Sequence, residues 1–304
     1  MNNPRNPLAK TARSLFIVVI TLLTVLQPES LCAQAAREHA RYRVAVCDWM
    51  ILKRQKLGSF QLAKDISADG VEVDMGGLGQ RWTFDNRFHE PAEGEHFRRT
   101  ADSLGICVPS IAMSGFFAQN FIRRSNYMVP VADCLHTMDV FGATVAFLPL
   151  GGSGTDWQRS GTADRRELVR RLHAVGEMAR AQGKVIAIRT ALNAADDIRL
   201  LKEIGSEGIK IYYNLQDAVD QGRNPAAEIL KLGSSRIAQI HASLTDSVTL
   251  DRDPRIDMTA VRRALDRIDY SGWLVVERSR DAGDVRNVKG NFGTNVAYLK
   301  EIFK

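Results

Sequence analysis

Eight short apolar runs, each followed by a longer stretch of helical periodicity, constrain this chain more than any other feature: Tyr42 to Asp48, Gly70 to Asp74, Val108 to Met113, Thr144 to Leu150, Lys184 to Thr190, Ile209 to Asn214, Ile237 to Leu244 and Trp273 to Ser279. A run apolar on both faces reads as a strand covered on both sides, and a β-then-α repeat makes its strands parallel. Repeated eight times, the unit closes into a single (β/α)8 TIM barrel, an α/β fold. At 304 residues and 45% hydrophobic composition the chain fills one such core without needing a second domain.

Two intervening segments carry a stripe at helical spacing, Leu168, Leu172, Val175 and Met178, then Met258, Val261, Leu265 and Ile268. Both read as the inner faces of outer-ring helices. Connections from helix to strand are short and marked by glycine, as at Gly105, Gly142, Gly183, Gly205 and Gly233, which suits helix C-caps. Connections from strand to helix are long: Gly76 to Glu90, Ser114 to Asn126, Gly151 to Thr162 and Thr245 to Asp257. Long loops therefore crowd the rim at the strand C-termini, where barrels of this kind place their sites.

The N-terminus carries Arg5, Lys10 and Arg13, then the apolar run Leu15 to Leu26, then Ala33-Gln34-Ala35. That order reads as a cleavable signal over residues 1–35, ahead of a barrel over residues 36–304. The apolar run is shorter than the ~20 residues a spanning helix needs, so no stable membrane span is expected after cleavage. An exported protein, periplasmic or secreted, is the expectation. Cleavage lowers the formal charge from +6 to +4, and no basic run is interleaved with aromatics, so nucleic acid is not an expected partner. The cysteines show no CxxC spacing of a zinc knuckle.

Asp69-Gly70-Val71-Glu72-Val73-Asp74, Lys210-Ile211-Tyr212-Tyr213-Asn214, Gln239-Ile240-His241 and Gly272-Trp273-Leu274-Val275-Val276-Glu277-Arg278 occur in this order. Together they resemble the sugar phosphate isomerase/epimerase family, the xylose isomerase-like TIM barrels. The resemblance implies isomerisation, epimerisation or elimination on a sugar or oxidised sugar, aided by a divalent metal (Mn, Mg or Zn). It also implies a ligand set of Glu, Asp, His and Glu at the ends of the fifth to eighth strands. The matching positions here are Arg189, Asn214, His241 and Glu277.

Two anionic ligands are thus replaced. An amide oxygen still coordinates weakly, but a guanidinium has no lone pair and repels a cation. At ~4 Å and an effective dielectric of 20, each unit of charge product is worth about 4 kcal/mol, so a metal at His241, Glu277 and Asn214 is expected to be weakened or lost through Arg189. Glu277 and His241 remain as candidate catalytic residues. Asp74, Arg189, Asn214 and Arg280 are candidate substrate-binding residues, the two arginines for an anionic oxygen. Asp74 shares a strand face with Glu72 and reads equally as a partner for a neighbouring base. Asp48 and Ser114 also end strands. Trp49, Phe116, Phe117 and Trp157 lie in or beside rim loops, as stacking surfaces or as packing. Two functions stay open: a proton-transferring sugar isomerase or epimerase, and a catalytically inactive sugar-binding barrel. The residues specify no oligomeric state.

Overall fold

The computed structural model describes residues 41–304; the expected signal over residues 1–35 lies outside the described residues. The strands are β1 (Tyr42–Cys47), β2 (Gly70–Asp74), β3 (Ser110–Ala112), β4 (Val145–Pro149), β5 (Val185–Arg189), β6 (Ile209–Asn214), β7 (Ile237–His241) and β8 (Gly272–Val276). They are all parallel, pair in sequence order and close into a barrel. Closure is by β1 against β8, from Tyr42 opposite Gly272 to Val46 opposite Val276.

The outer elements among the described residues are α1 (Gly58–Asp65), α2 (Pro91–Leu104), α3 (Met128–Phe141), α4 (Ala163–Arg180), α5 (Ala194–Ile204), α6 (Leu215–Asp220), α7 (Pro225–Leu232), α8 (Met258–Arg267) and α9 (Val288–Ile302). The stripes of α4 and α8 turn inward, burying Leu168, Leu172 and Val175 in one and Met258, Val261 and Leu265 in the other. Gly105, Gly142 and Gly205 take left-handed backbone at the ends of α2, α3 and α5, a conformation that a side chain would strain. No helix of the described residues is long and apolar enough to cross a membrane.

Strands β3, β7 and β8 fall furthest short of the apolar runs. Val108 and Pro109 stay outside β3, and proline has no N–H to give to the ladder. Beyond β7 and β8 serine hydroxyls replace ladder partners: Glu277 N donates to Ser243 Oγ (3.2 Å) and Leu244 N to Ser279 Oγ (2.7 Å). Ser279 has a φ of 71°, so the chain turns out of the sheet immediately past Glu277.

Along each strand alternate side chains point into the barrel. The inward set includes Ala45, Cys47, Ala112, Phe147, Ala187, Tyr212 and Val275, a cluster distinct from the larger core between sheet and helices. Into this apolar interior β2, β3 and β7 also deliver Glu72, Ser110 and His241, all without exposed surface.

Candidate active site

His241 ends β7 with its ring inside the barrel, packed between Phe147 and Tyr212 at centroid distances of 4.8 and 4.2 Å. Its two nitrogens face different surroundings. On the deep side Nε2 lies 3.0 Å from Glu72 Oε1. The same oxygen accepts from Cys47 Sγ at 3.4 Å, while Ser110 Oγ and Tyr212 Oη donate to Oε2 at 2.6 and 2.7 Å. Burial alone would push the Glu72 carboxyl up, but the His241 ring and the hydrogen bonds hold it below the usual carboxylate value. Burial pushes the Cys47 thiol well up, and the Glu72 charge adds to this, so Cys47 is a protonated thiol rather than a thiolate.

On the rim side Nδ1 lies 3.7 Å from Glu277 Oε2 and 3.5 Å from Asn214 Nδ2. Asn214 also donates to Glu277 Oε2 at 3.3 Å. Its side-chain oxygen is engaged elsewhere, accepting Gln216 N (2.9 Å) as the N-cap of α6. That short helix carries Asp217, which grips Arg189 through two parallel hydrogen bonds of 2.8 and 2.7 Å. The third nitrogen of the guanidinium fork donates to Glu277 Oε2 at 3.2 Å, and the group lies over the Phe117 ring, 5.5 Å from its centroid. Arg189 is thus wedged between two carboxylates, 15% exposed.

This donor set does not fit a divalent ion. At the four matched positions Arg189 offers no lone pair, the Asn214 oxygen caps a helix and its amino group faces the cavity, and the Glu277 carboxylate is already neutralised. The described residues hold one further donor cluster, Cys47, Glu72 and His241, with ligand atoms within 4.8 Å of one another. There the thiol is protonated and Glu72 is saturated with hydrogen bonds.

The other sequence candidates scatter. Asp74 is fully buried, accepting Gly76 N (2.7 Å) and meeting Arg54 Nε at 3.1 Å, so it holds a base rather than facing a ligand. Its carboxyl is pushed up to about 6, mainly by burial. Gly76, with a φ of +88°, lets this loop turn where a Cβ would fall 2.4 Å from Asp85 O. Asp48 accepts Asp74 N (3.2 Å) and Gln55 N (2.9 Å), bracing the same loop. Arg280 gives its guanidinium to Asp246 at 2.5 and 3.2 Å, a clasp between the loops after β7 and β8 that commits it away from Arg189. Phe116 and Trp157 are core residues, whereas Trp49 and Phe117 pack on Phe147 at the barrel mouth.

Sequence reasoning missed Asp217 and Tyr212. Asp217 follows Asn214 by one helical turn, so an Asn N-cap reading at the end of β6 would have placed it at the rim, though not its partner. Tyr212 is two residues before Asn214 on one strand and shares its inward face.

The chain matches the family described as xylose isomerase-like TIM barrel over residues 60–302. A 2-epi-5-epi-valiolone 7-phosphate 2-epimerase of Actinoplanes sp. is 25% identical over 203 residues, 66% of this chain and 71% of that protein. Among solved structures, a xylose isomerase domain protein from Planctomyces limnophilus superposes with a TM-score of 0.65 at 17% identity, covering 86% of this chain and 97% of its own. D-psicose 3-epimerase, solved in the presence of D-fructose, gives 0.67 at 13% identity over 86% and 99%. With a barrel closed in the same order and a family match over most of its length, this chain belongs to the xylose isomerase-like TIM barrel family.

Proposed function

We propose that this protein is a sugar isomerase or epimerase that moves a proton at a carbon next to a carbonyl, without a divalent ion. Glu277 is the base. It takes the proton from carbon, the electron pair moves to the carbonyl oxygen, and the resulting enediolate oxygen is stabilised by Arg189. Return of the proton from Glu277 to the neighbouring carbon, as the hydroxyl proton of the enediolate passes to its charged oxygen, completes an isomerisation; return to the original carbon after the enediolate has turned its other face to Glu277 completes an epimerisation. The observation that carries this reading is the Arg189 fork between Asp217 and Glu277: a fixed cation stands where the family resemblance calls for an anionic ligand. The likeness to proteins named as epimerases, one of them of D-psicose, supports the reaction class. Export, expected from the N-terminal segment, favours a free or oxidised sugar over a phosphorylated one, and N-terminal sequencing of the mature chain at Ala36 checks it.

The test is hydrogen exchange. Purified mature protein treated with EDTA, incubated in D2O with ketoses, aldoses and oxidised glycosides, is expected to wash out one carbon-bound proton beside the carbonyl, read by NMR, and Glu277→Gln to abolish it. Calorimetric titration with Mn²⁺ is expected to show no tight binding by the wild type. Arg189→Glu combined with Asn214→Asp rebuilds the carboxylate set and is expected to create it. Tight stoichiometric binding by the unmodified protein would overturn the metal-free mechanism. The Arg189 to Glu277 pair also favours a second reading, an inactive sugar-binding barrel plugged by its own ions. Saturable sugar binding with no exchange is the outcome that selects it.

A further inference from the structure

We infer that Glu72 is the positioning residue of this site, fixing His241 so that Nδ1 is the proton-accepting nitrogen turned toward Glu277. The inference rests on the proposed proton transfer and adds to it the residue that makes His241 usable. The geometry is closed on the deep side. Glu72 accepts at both oxygens from three other strands, Cys47 of β1, Ser110 of β3 and Tyr212 of β6, so its carboxylate cannot swing away. A carboxylate only accepts, so the nitrogen 3.0 Å from it carries the hydrogen. A neutral ring with hydrogen on Nε2 has its lone pair on Nδ1, and that atom faces Asn214 Nδ2 at 3.5 Å and Glu277 Oε2 at 3.7 Å.

The arrangement gives the proton somewhere to go. While the enediolate stands, Glu277 hands the proton taken from carbon to Nδ1, and it takes the proton back to return it to carbon. The imidazolium that forms keeps its Nε2 hydrogen, and Glu72 balances its charge inside an apolar barrel. Oriented by a buried carboxylate, a histidine holds one tautomer and one ring angle. Ser110 and Tyr212 both donate to Glu72 in this apolar interior, and without it their hydroxyls would lose their carboxylate acceptor.

The experiment uses the full mature chain with ¹⁵N-labelled histidine, the His241 signals being assigned by their absence in His241→Gln. In the wild type, without substrate, Nε2 is expected to carry a slowly exchanging hydrogen and Nδ1 none. Glu72→Gln presents both a carbonyl and an amino group, so the tautomer preference is expected to be lost. In the D2O exchange assay kcat is expected to fall about 10- to 100-fold with KM within about twofold, the usual size of an orienting contact. Tyr212→Phe keeps the charge and removes one hydrogen bond, and is expected to keep the tautomer with a smaller loss; it covers the case in which Glu72→Gln does not fold.

Hydrogen on Nδ1 in the wild type, or a tautomer unchanged in Glu72→Gln, would overturn the inference. So would stoichiometric zinc in the purified chain that leaves with Cys47→Ser, which would make the cluster a metal site. Because the tautomer is read without substrate, the two claims separate. A tautomer that follows Glu72 in a protein that exchanges no sugar proton sinks the proposed function and leaves this contact standing. Exchange activity with an indifferent tautomer does the reverse.

Discussion

The two sides of His241 are built differently. On the deep side Cys47, Glu72, Ser110 and Tyr212 sit within strands or at their ends, none has more than 1% exposure, and the Glu72 carboxylate has a partner at each oxygen. On the rim side Arg189 ends β5, Glu277 lies just past β8, Asp217 lies in the first turn of a short helix, and Arg189 and Asp217 keep 15 and 16% side-chain exposure. Strand interiors fix geometry through ladder hydrogen bonds and packing, so a polar group there is either fully matched or ruinous. Rim positions sit on loops and first helical turns, where charges can be exchanged for others as long as the local sum is kept. Arg189, standing where the family resemblance implies an acidic ligand, belongs to that second world. Its charge is absorbed by Asp217 and Glu277 without disturbing Glu72.

That contrast is broken most directly by Glu72→Ala. It strips the acceptor from three hydrogen-bonding groups and an imidazole in a dry interior. The expected cost is roughly 3–5 kcal/mol, a fall in melting temperature on the order of 10 °C, seen by calorimetry. A loss no larger than that of a rim substitution would mean water reaches the deep side and the distinction is wrong.

A smaller effect comes from the surplus acidity behind the rim. Thr190, next to Arg189, donates to the buried Asp197 at 2.6 Å, and burial pushes this carboxyl from an ordinary 3.8 up to about 7, with Glu228 and Asp217 adding and Arg223 opposing. Because the folded value exceeds the unfolded one, between pH ~4 and ~7 the folded state holds a proton the unfolded chain has lost. Stability from this group is therefore fully present at low pH and falls as pH rises through the window. Asp197→Asn keeps the acceptor for Thr190. It is expected to raise stability by on the order of 2 kcal/mol at pH 8 and to flatten the curve between pH ~6 and ~7 in urea titrations. Asp74, whose carboxyl sits at about 6, keeps the slope below that. An unchanged slope in Asp197→Asn would show that the carboxyl is hydrated in the folded protein.

What the sequence disclosed follows the same division. The barrel was legible because burial on both faces writes strands as apolar runs and because helix ends require glycine at Gly105, Gly142 and Gly205. Positions at strand ends, His241 and Glu277, could be read from register alone. The partnerships could not. Arg189 joins Asp217 across 28 residues and Glu277 across 88, and Glu72 joins Tyr212 across 140, so no local pattern encodes them. Arg280 shows the limit: its place one loop from Glu277 suggested a shared anion site, but Asp246, 34 residues away in sequence, holds it. Proximity in sequence indicated a neighbourhood, whereas charge balance in three dimensions decided the partner.

The smallest expected change in stability is also the one with the largest expected consequence for chemistry. Glu277→Gln retains an acceptor for Arg189 and Asn214, and Arg189 keeps both hydrogen bonds to Asp217, so the rim network survives with one charge fewer. The cost should be at most about 1 kcal/mol, since one charge-assisted hydrogen bond becomes a neutral one and no group is left unpaired. The same substitution removes the atom that takes the proton, so D2O exchange into a sugar carbon is expected to vanish while the melting curve barely moves. A large fall in melting temperature would show that Glu277 belongs with the deep, structural side of His241. Exchange that survives would assign the base to another rim group, and leave Glu277 as the counter-ion that keeps Arg189 in place.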